Sequence, residues 1–156
     1  MTSARVFAPA KLNLFLAITG KRADGFHDLV SVVTPLAMGD VLTLQARPKA
    51  TGDTLACRHP EVPVDASNLV LKAAAAYRKR AGSDGPPPVH FILEKETPAG
   101  AGLGGGSSDA AAALRGMNEL ARRPMAAEGL RVCAAEVGSD VPLFLENGPV
   151  VMRGRG

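Results

Sequence analysis

The sequence is poor in the residues that build disulfide frameworks, metal centres and aromatic binding surfaces. Its 156 residues include no tryptophan and one tyrosine, and the two cysteines, Cys57 and Cys133, lie far apart in the chain. Because their spacing fits neither a redox motif nor a zinc site, we expect both cysteines to be reduced and structural. The three histidines show no metal-ligand spacing either; they are His27, His59 and His90.

Long apolar runs are also missing. No segment approaches the roughly 20 apolar residues that a membrane-spanning helix needs. Residues 12–19 are apolar, but this stretch is short and interrupted by Asn13, which argues against a signal peptide. We therefore expect a soluble, cytoplasmic protein that forms one domain with its own core.

The charge is mildly basic, with a net value of +3 and a pI near 9.1. Lysines and arginines are scattered except between residues 72 and 80, where a solvated helix face is the better interpretation. Basic and aromatic residues do not alternate, so the sequence signal for nucleic-acid binding is weak. A basic balance also suits an anionic small molecule as the partner.

Periodicity predicts a chain that is rich in strands at first and helical later. The alternation over residues 12–18 predicts a strand with one face in the core. Helices are predicted over 69–81, with Ser67 or Asn68 as N-cap and Gly82 as the end, after the glycine-rich stretch, and over 125–137. Strands are predicted over 4–8, 12–19, 28–36, 40–46 (joined to the previous one by a turn at 38–40), 53–58, 89–93 and 149–152.

The most informative stretch holds five glycines in seven residues, immediately before an alanine-rich helix. Glycine lets the backbone adopt positive φ and approach a ligand closely, and a following helix adds unpaired N–H groups and the positive end of its dipole. We expect Ser108 or Asp109 to cap this helix. The predicted phosphate-binding residues are Pro98, Ala99, Gly100, Ala101, Gly102, Leu103, Gly104, Gly105, Gly106, Ser107 and Ser108.

Several known glycine loops compete for this stretch. The P-loop pattern fails because no lysine follows any of the glycines, and no V-A-I-K strand of a protein kinase is present. The glycines at 100, 102 and 105 match the dinucleotide fingerprint, yet the helix after them leads to Arg122-Arg-Pro124 and another helix rather than to a second strand. The glycines alone therefore leave the nucleotide undecided.

The pattern Pro98-x-x-x-Gly-Leu-Gly-x-Gly-Ser-Ser108 resembles the second motif of the GHMP kinases, which hold ATP on this loop. Two further segments, residues 9–27 and Gly138-Ser-Asp-Val-Pro142, make the chain similar to the 4-diphosphocytidyl-2-C-methyl-D-erythritol kinases within that superfamily. The three motifs stand in the family's order and spacing over nearly the whole chain.

This resemblance implies an α+β fold of the ribosomal protein S5 domain 2-like type. Residues 1–156 would form the N-terminal, ATP-binding domain, with the family's C-terminal domain absent from this chain. The implied reaction is ATP-dependent phosphorylation of the 2-hydroxyl of 4-diphosphocytidyl-2-C-methyl-D-erythritol, in non-mevalonate isoprenoid synthesis. Two alternatives stay open: another GHMP small-molecule kinase, and a truncated, non-catalytic nucleotide- or RNA-binding remnant.

The resemblance also assigns the catalytic pair. Asp140 would be the base that accepts the proton of the attacking hydroxyl, a role favoured over the simpler one of capping a turn between Gly138 and Pro142. Lys11 would be its cationic partner, keeping the carboxylate ionised and neutralising charge on the transferring group. By itself, a lysine at the head of a strand is usually a solvated charge.

Substrate contacts are implied near the N-terminus. Asn13, on the same side of the strand as Lys11, would hydrogen-bond substrate, or would be an ordinary edge-strand amide. His27 would read the cytosine edge, with Phe26, where the family usually has tyrosine, stacking on the base. Without its second domain we also expect the chain to self-associate. No carboxylate cage is visible, so Mg²⁺ would be carried mainly by the nucleotide.

Overall fold

The computed structural model describes residues 2–21, 23, 25 and 27–155. It consists of one mixed sheet with helices against one of its faces. The strands are β1 (Ser3–Lys21), β2 (His27–Ala46), β3 (Thr54–Cys57), β4 (Val89–Glu94) and β5 (Val150–Arg155). The helices are α1 (Leu69–Ala81), α2 (Gly105–Leu120) and α3 (Ala127–Val137), with short 3₁₀ turns at Gly82–Asp84 and Pro142–Leu145.

The sheet is organised around the long strand β2. Its first part pairs with β5, its last part pairs with β4, and β1 runs antiparallel along nearly its whole length. Strand β3 lies on the far side of β4 and parallel to it. This arrangement brings the C-terminal end of β4, where the glycine-rich stretch begins, beside the middle of the β1–β2 ribbon.

Both predicted interruptions of the ribbon are wrong. Residues 4–8 and 12–19 form one strand, and residues 28–36 and 40–46 form another, with register shifts in place of turns. Gly39 explains the second case, because a side chain there would overlap the carbonyl of Ala8 on β1. The glycine allows two backbones to approach closely and does not make a turn.

The core lies between the sheet and the helices. Leu42, Leu44 and Phe91 point from the sheet into a layer that α1 and α2 cover, and the alanine run of α2 is buried along its length. At Gly116 a side chain would collide with Leu44, so α2 lies directly on the sheet. This contact fixes where the N-terminus of α2 stands relative to β1 and β4.

The predicted core face of residues 12–18 is wrong. Leu14 and Ile18 are each 63% exposed, and Leu16 is 54% exposed. On the same strand, Ala8 and Ala10 are completely buried. The helical layer covers only the first half of β1, and the second half extends beyond it with apolar side chains uncovered.

N-caps were predicted for two of the helices, and the structure confirms one of them. Asn68 caps α1 by accepting a hydrogen bond from the Val70 N–H at 2.9 Å, and α1 ends at Gly82 as expected. Helix α2, however, begins before Ser108 and Asp109, with Gly104 at the N-cap and no side-chain cap among the described residues. Its first N–H groups are therefore left for another partner.

None of the helices in the described ranges is long and apolar enough to cross a membrane.

Candidate active site

The glycine loop, residues 98–104, connects β4 to α2. Gly100, Gly102 and Gly104 have φ angles of 71°, 74° and 69°, in the left-handed region that side chains disfavour. The loop ends at the uncapped N-terminus of a 16-residue helix. Unpaired N–H groups and the positive end of the helix dipole thus converge on one place, which suits an anion such as phosphate.

A cleft of about 420 Å³ opens against this loop. The opposite wall consists of residues 61–63 and the start of α1, where Val62 and Leu69 supply apolar surface. Lys95 and Ser107 also line the cleft. An elongated ligand with an anionic end and a flat apolar end would match this combination of walls.

Strand β1 touches the loop directly. The Lys11 N–H donates a 2.8 Å hydrogen bond to the carbonyl of Leu103. A Cβ atom on Gly104 would lie 2.8 Å from the ring of Phe144 and 3.0 Å from Cγ of Lys11. The loop is therefore seated between β1 and the 3₁₀ turn at Pro142–Leu145, with no room for a side chain at Gly104.

The two residues assigned to catalysis meet beside this loop. Lys11 Nζ lies 3.8 Å from Asp140 Oδ2, and their side chains are 12% and 33% exposed. Asp140 sits between the end of α3 at Gly138 and the 3₁₀ turn, and the Val141 N–H donates to the Gly138 carbonyl at 3.3 Å. The turn is closed by backbone groups, so the carboxylate is left facing Lys11 at an accessible surface.

The ammonium of Lys11 is also fixed by hydrogen bonding to its neighbour on β1. Its ammonium donates to Asn13 Oδ1 at 2.7 Å, and Asn13 Nδ2 donates to Ser31 Oγ at 2.7 Å. Ser31, which is fully buried, donates to the carbonyl of Phe15 at 2.7 Å. Because both polar atoms of the Asn13 amide are engaged in this chain, its first role in the structure is to orient Lys11.

A second group of charges was missed by sequence reasoning. Lys95 Nζ lies 2.5 Å from Asp40 Oδ2 and 2.8 Å from Asp109 Oδ2, and all three side chains are almost completely buried. Asp40 Oδ1 accepts from the backbone N–H groups of Glu96 and Thr97, both at 2.7 Å. Asp40 had been placed in a turn and Asp109 at a helix cap, and no spacing in the sequence connects either residue with Lys95.

Burial and pairing act against each other in this group. Burial raises the pKa of Asp109 to about 7 although Lys95 acts to lower it. For Asp40, burial acts upward, but hydrogen bonds from Lys95, Thr97 and Glu96 hold its pKa below the ordinary value. Burial likewise opposes the charge on Lys95, and the two carboxylates outweigh it, so the pKa of Lys95 is raised.

The two serines of the loop differ in access. Ser107 is half-buried and lines the cleft, whereas Ser108 is buried and its Oγ has no hydrogen-bond partner among the described residues. Among all the residues that the structure describes, no cluster of three or more His, Cys, Asp or Glu side chains could hold a metal ion.

Of the two predicted base-reading residues, His27 is among those that the structure describes. His27 is exposed and pairs with Lys21 at one end of the β1–β2 ribbon, whereas the loop contacts the ribbon near its middle, at Lys11. The structure therefore does not bring His27 beside Lys11 and Asp140. Phe26 falls outside the described residues.

Comparison with known proteins identifies the family of this chain. The GHMP kinases N terminal domain matches residues 68–148, more than half of the chain. The protein named 4-diphosphocytidyl-2-C-methyl-D-erythritol kinase of Protochlamydia amoebophila (strain UWE25) is 46% identical over 100% of this chain and 52% of the relative. The chloroplastic protein of that name from Arabidopsis thaliana is 43% identical over 100% of this chain and 40% of the relative.

Solved structures show the same fold. A crystal structure of 4-(cytidine 5'-diphospho)-2C-methyl-D-erythritol kinase superposes with a TM-score of 0.79 at 36% identity, covering 97% of this chain and 52% of that one. Homoserine kinase from Cytophaga hutchinsonii ATCC 33406, at 22% identity and a TM-score of 0.74 over 97% of this chain and 48% of that one, shares the fold alone. The chain thus spans between 40% and 52% of the length of these four proteins.

The expected α+β fold is therefore confirmed. The family match covers the glycine loop and Asp140, and the relatives align over the whole chain, including Lys11. Because the family's N-terminal domain matches more than half of its residues, the chain belongs to the GHMP kinases.

Proposed function

We propose that residues 1–156 are the N-terminal, ATP-binding domain of a 4-diphosphocytidyl-2-C-methyl-D-erythritol kinase. The reaction transfers the γ-phosphoryl group of ATP to the 2-hydroxyl of that substrate, in the non-mevalonate route to isoprenoid precursors. The names of relatives at 43–46% identity support the substrate. The observation that carries the chemistry is the Lys11–Asp140 pair beside an anion-binding glycine loop.

The nucleotide would lie in the cleft of the glycine loop. The free N–H groups at the start of α2 receive its phosphates, and Val62 and Leu69 on the facing wall pack against its base. Residues 98–108 thus form the binding loop, with Ser107 as the serine that lines the cleft and the buried Ser108 supporting it.

Magnesium fits this site as an ion bound mainly through the nucleotide. Among the described residues no group of three or more His, Cys, Asp or Glu side chains could hold a metal ion, and Mg²⁺ commonly keeps waters and phosphate oxygens as ligands. When bound, it neutralises charge on the phosphates. Ser107 and Asp140 are the oxygen-bearing side chains that would contact its water shell.

The chain's own residues then carry the transfer. Asp140 accepts the proton of the 2-hydroxyl as that oxygen forms its bond to the γ-phosphorus and the bond to the bridging oxygen of ADP breaks. Lys11 holds the carboxylate in place and faces the negative charge spread over the transferring group. Because such transition states are loose, orientation of the hydroxyl counts as much as its deprotonation.

Recognition of the substrate is assigned to the β1–β2 ribbon. His27, which pairs with Lys21 at one end of the ribbon, would read the cytosine edge, and Phe26 would stack on the base. Asn13 would reach the substrate by exchanging one of its two internal hydrogen bonds. Small molecules are thus the proposed partners, with no nucleic acid and no membrane, and the proposed location is the cytoplasm.

Purified protein from the complete reading frame tests the reaction. Incubation with ATP, Mg²⁺ and the cytidine-bearing substrate should give ADP and the 2-phosphate by mass spectrometry, whereas mevalonate and homoserine should stay unmodified. Transfer to one of those alcohols instead would reassign the enzyme within the GHMP kinases.

Calorimetry on the 156-residue chain addresses the non-catalytic alternative. Saturable binding of ATP with Mg²⁺, without binding of a short duplex RNA, is the expected result. Binding of RNA without binding of nucleotide would overturn the kinase proposal.

A further inference from the structure

The buried cluster of Asp40, Lys95 and Asp109 stands under the glycine loop and is not needed for the chemistry proposed above. Its three charged groups come from three elements: Asp40 from β2, Lys95 from the end of β4, and Asp109 from the first turns of α2. None of the three side chains is more than 7% exposed. Burying three charges is costly, and apolar residues of similar volume often stabilise a protein as well or better. Stability alone is therefore a weak explanation for this cluster.

The cluster holds both ends of the loop. At the entry, Asp40 Oδ1 accepts the N–H groups of Glu96 and Thr97, the residues that lead into Pro98. At the exit, Lys95 bridges Asp40 to Asp109, which is fixed in α2. Lys95 therefore connects Asp40, which binds the segment before residues 98–104, with Asp109 in the helix that follows them.

The C-terminal end of the glycine loop, where α2 begins, is also in direct contact with Lys95. A Cβ atom on Gly105 would lie 2.8 Å from Lys95 Nζ and 2.9 Å from Thr97 Cγ2. Gly105 is the first residue of α2, and its backbone thus lies against the ammonium and the entry segment together. The ammonium of Lys95 therefore lies next to the residue at which the free N–H groups of α2 begin.

We propose that Lys95 is a positioning residue for the nucleotide: by bridging Asp40 and Asp109 against Gly105, it fixes the glycine loop in the conformation that receives phosphate. This inference rests on the proposed nucleotide-binding function. It assigns the cluster to the binding of nucleotide, apart from the Lys11–Asp140 pair, which acts on the transferring group.

Measuring amide exchange in the glycine loop separates the positioning role of Lys95 from a general effect on stability. Lys95→Met keeps the length of the side chain and removes its hydrogen bonds. Hydrogen–deuterium exchange should then become about tenfold faster or more at the amides of residues 100–108, while α3 stays protected as in the wild type. Lys79→Met, on the exposed face of α1, is the matched control and should change neither region.

Kinetics on the product of the complete reading frame give the functional readout. Lys95→Met should raise KM for ATP about tenfold or more and change kcat less than about threefold, as expected when binding common to ground and transition states is lost. A fall in kcat with unchanged KM for ATP would overturn the positioning role.

Two variants of Asp109 keep the test decisive if Lys95→Met does not fold. Asp109→Ala releases only the exit of the loop and should speed exchange at residues 104–108, and Asp109→Asn, which retains an acceptor for Lys95, should restore slow exchange. A folded Asp109→Ala protein with wild-type exchange in the loop would refute the inference. Exchange needs no ligand, so a wild-type chain that binds no ATP would overturn the proposed function and leave this measurement standing.

Discussion

Lys11 Nζ and Asp140 Oδ2 lie 3.8 Å apart although the two residues come from opposite ends of the chain. The glycine loop makes this meeting possible, because it contacts Lys11 through Leu103 and Phe144 through Gly104. A single loop thus aligns the strand that carries the cation with the turn that carries the carboxylate. The chemistry of the site depends on that alignment.

Loss of the carboxylate should abolish most of the turnover. In the complete protein, Asp140→Asn is expected to lower kcat about 10²- to 10⁴-fold with little change in KM for ATP, because a general base acts in the transition state. Glu128→Gln, an exposed acid in the first turn of α3, is the control and should be neutral. A kcat near the wild-type value in Asp140→Asn would show that the base is another group.

Removing the support of Lys11 should have a smaller effect. Ser31→Ala leaves the half-buried Asn13 amide without its acceptor and removes the bond to the Phe15 carbonyl, and loss of a typical hydrogen bond costs about 1 kcal/mol. We expect that loss in urea unfolding, together with a several-fold drop in kcat as Lys11 loses its fixed direction. Thr34→Ala, whose hydroxyl makes only an exposed local bond, should change neither quantity. Unchanged kcat in a destabilised Ser31→Ala protein would limit Ser31 to folding.

Three glycines separate backbone strain from steric overlap. Gly52→Ala meets open space without positive φ and should be neutral, whereas Gly100→Ala meets open space at φ 71° and should cost about 1–2 kcal/mol of strain. Gly104→Ala adds overlap with Phe144 and Lys11, so it should also weaken ATP binding about tenfold or more. Calorimetry and urea unfolding of the three variants check this order, and equal ATP affinities would contradict it.

Copies of this chain should associate through the uncovered half of β1. Leu14, Leu16 and Ile18 form an apolar strip that is more than half exposed. Light scattering should show mass increasing with protein concentration, and the double variant Leu14→Lys/Ile18→Lys should remain monomeric. Val64→Lys, an isolated exposed apolar position, should still associate. A wild-type chain that is monomeric at all concentrations would rule out this surface.

Local features were the ones that the sequence could predict. The loop follows from its glycines and the start of α1 from Asn68, because turns and caps depend on a few adjacent residues. Lys11 and Asp140 were identified by resemblance, since no local rule states that two ends of a chain meet. Lys95 was missed because its role comes entirely from neighbours on other elements.

The error at β1 has a different cause. Alternation over residues 12–18 correctly predicts a strand, but it does not say whether a second layer covers the apolar face. Here the helices cover Ala8 and Ala10 and stop short of Leu14. The extent of the covering layer is a tertiary property, beyond the reach of a period-2 pattern.

The buried carboxyl of Asp109 makes stability depend on pH with a predictable sign. Its pKa of about 7 in the folded chain exceeds the ordinary value of 3.8, so between these values the folded state holds a proton that the unfolded state has released. Unfolding then releases a proton, and this group's contribution to stability falls as pH rises through that window. Asp109→Asn removes the effect. The variant should therefore gain stability relative to the wild type from pH 4 to pH 8, by up to about 4 kcal/mol.

Urea unfolding of both proteins at several pH values measures this difference, and titrations common to the two proteins cancel. Asp65→Asn is the control, because hydrogen bonds from Ser67 lower the pKa of Asp65 and leave it ionised in both states above pH 5. Its difference from the wild type should be flat between pH 5 and pH 8. If the Asp109→Asn difference is flat as well, or runs in the opposite direction, Asp109 is ionised throughout and Lys95 compensates its burial fully.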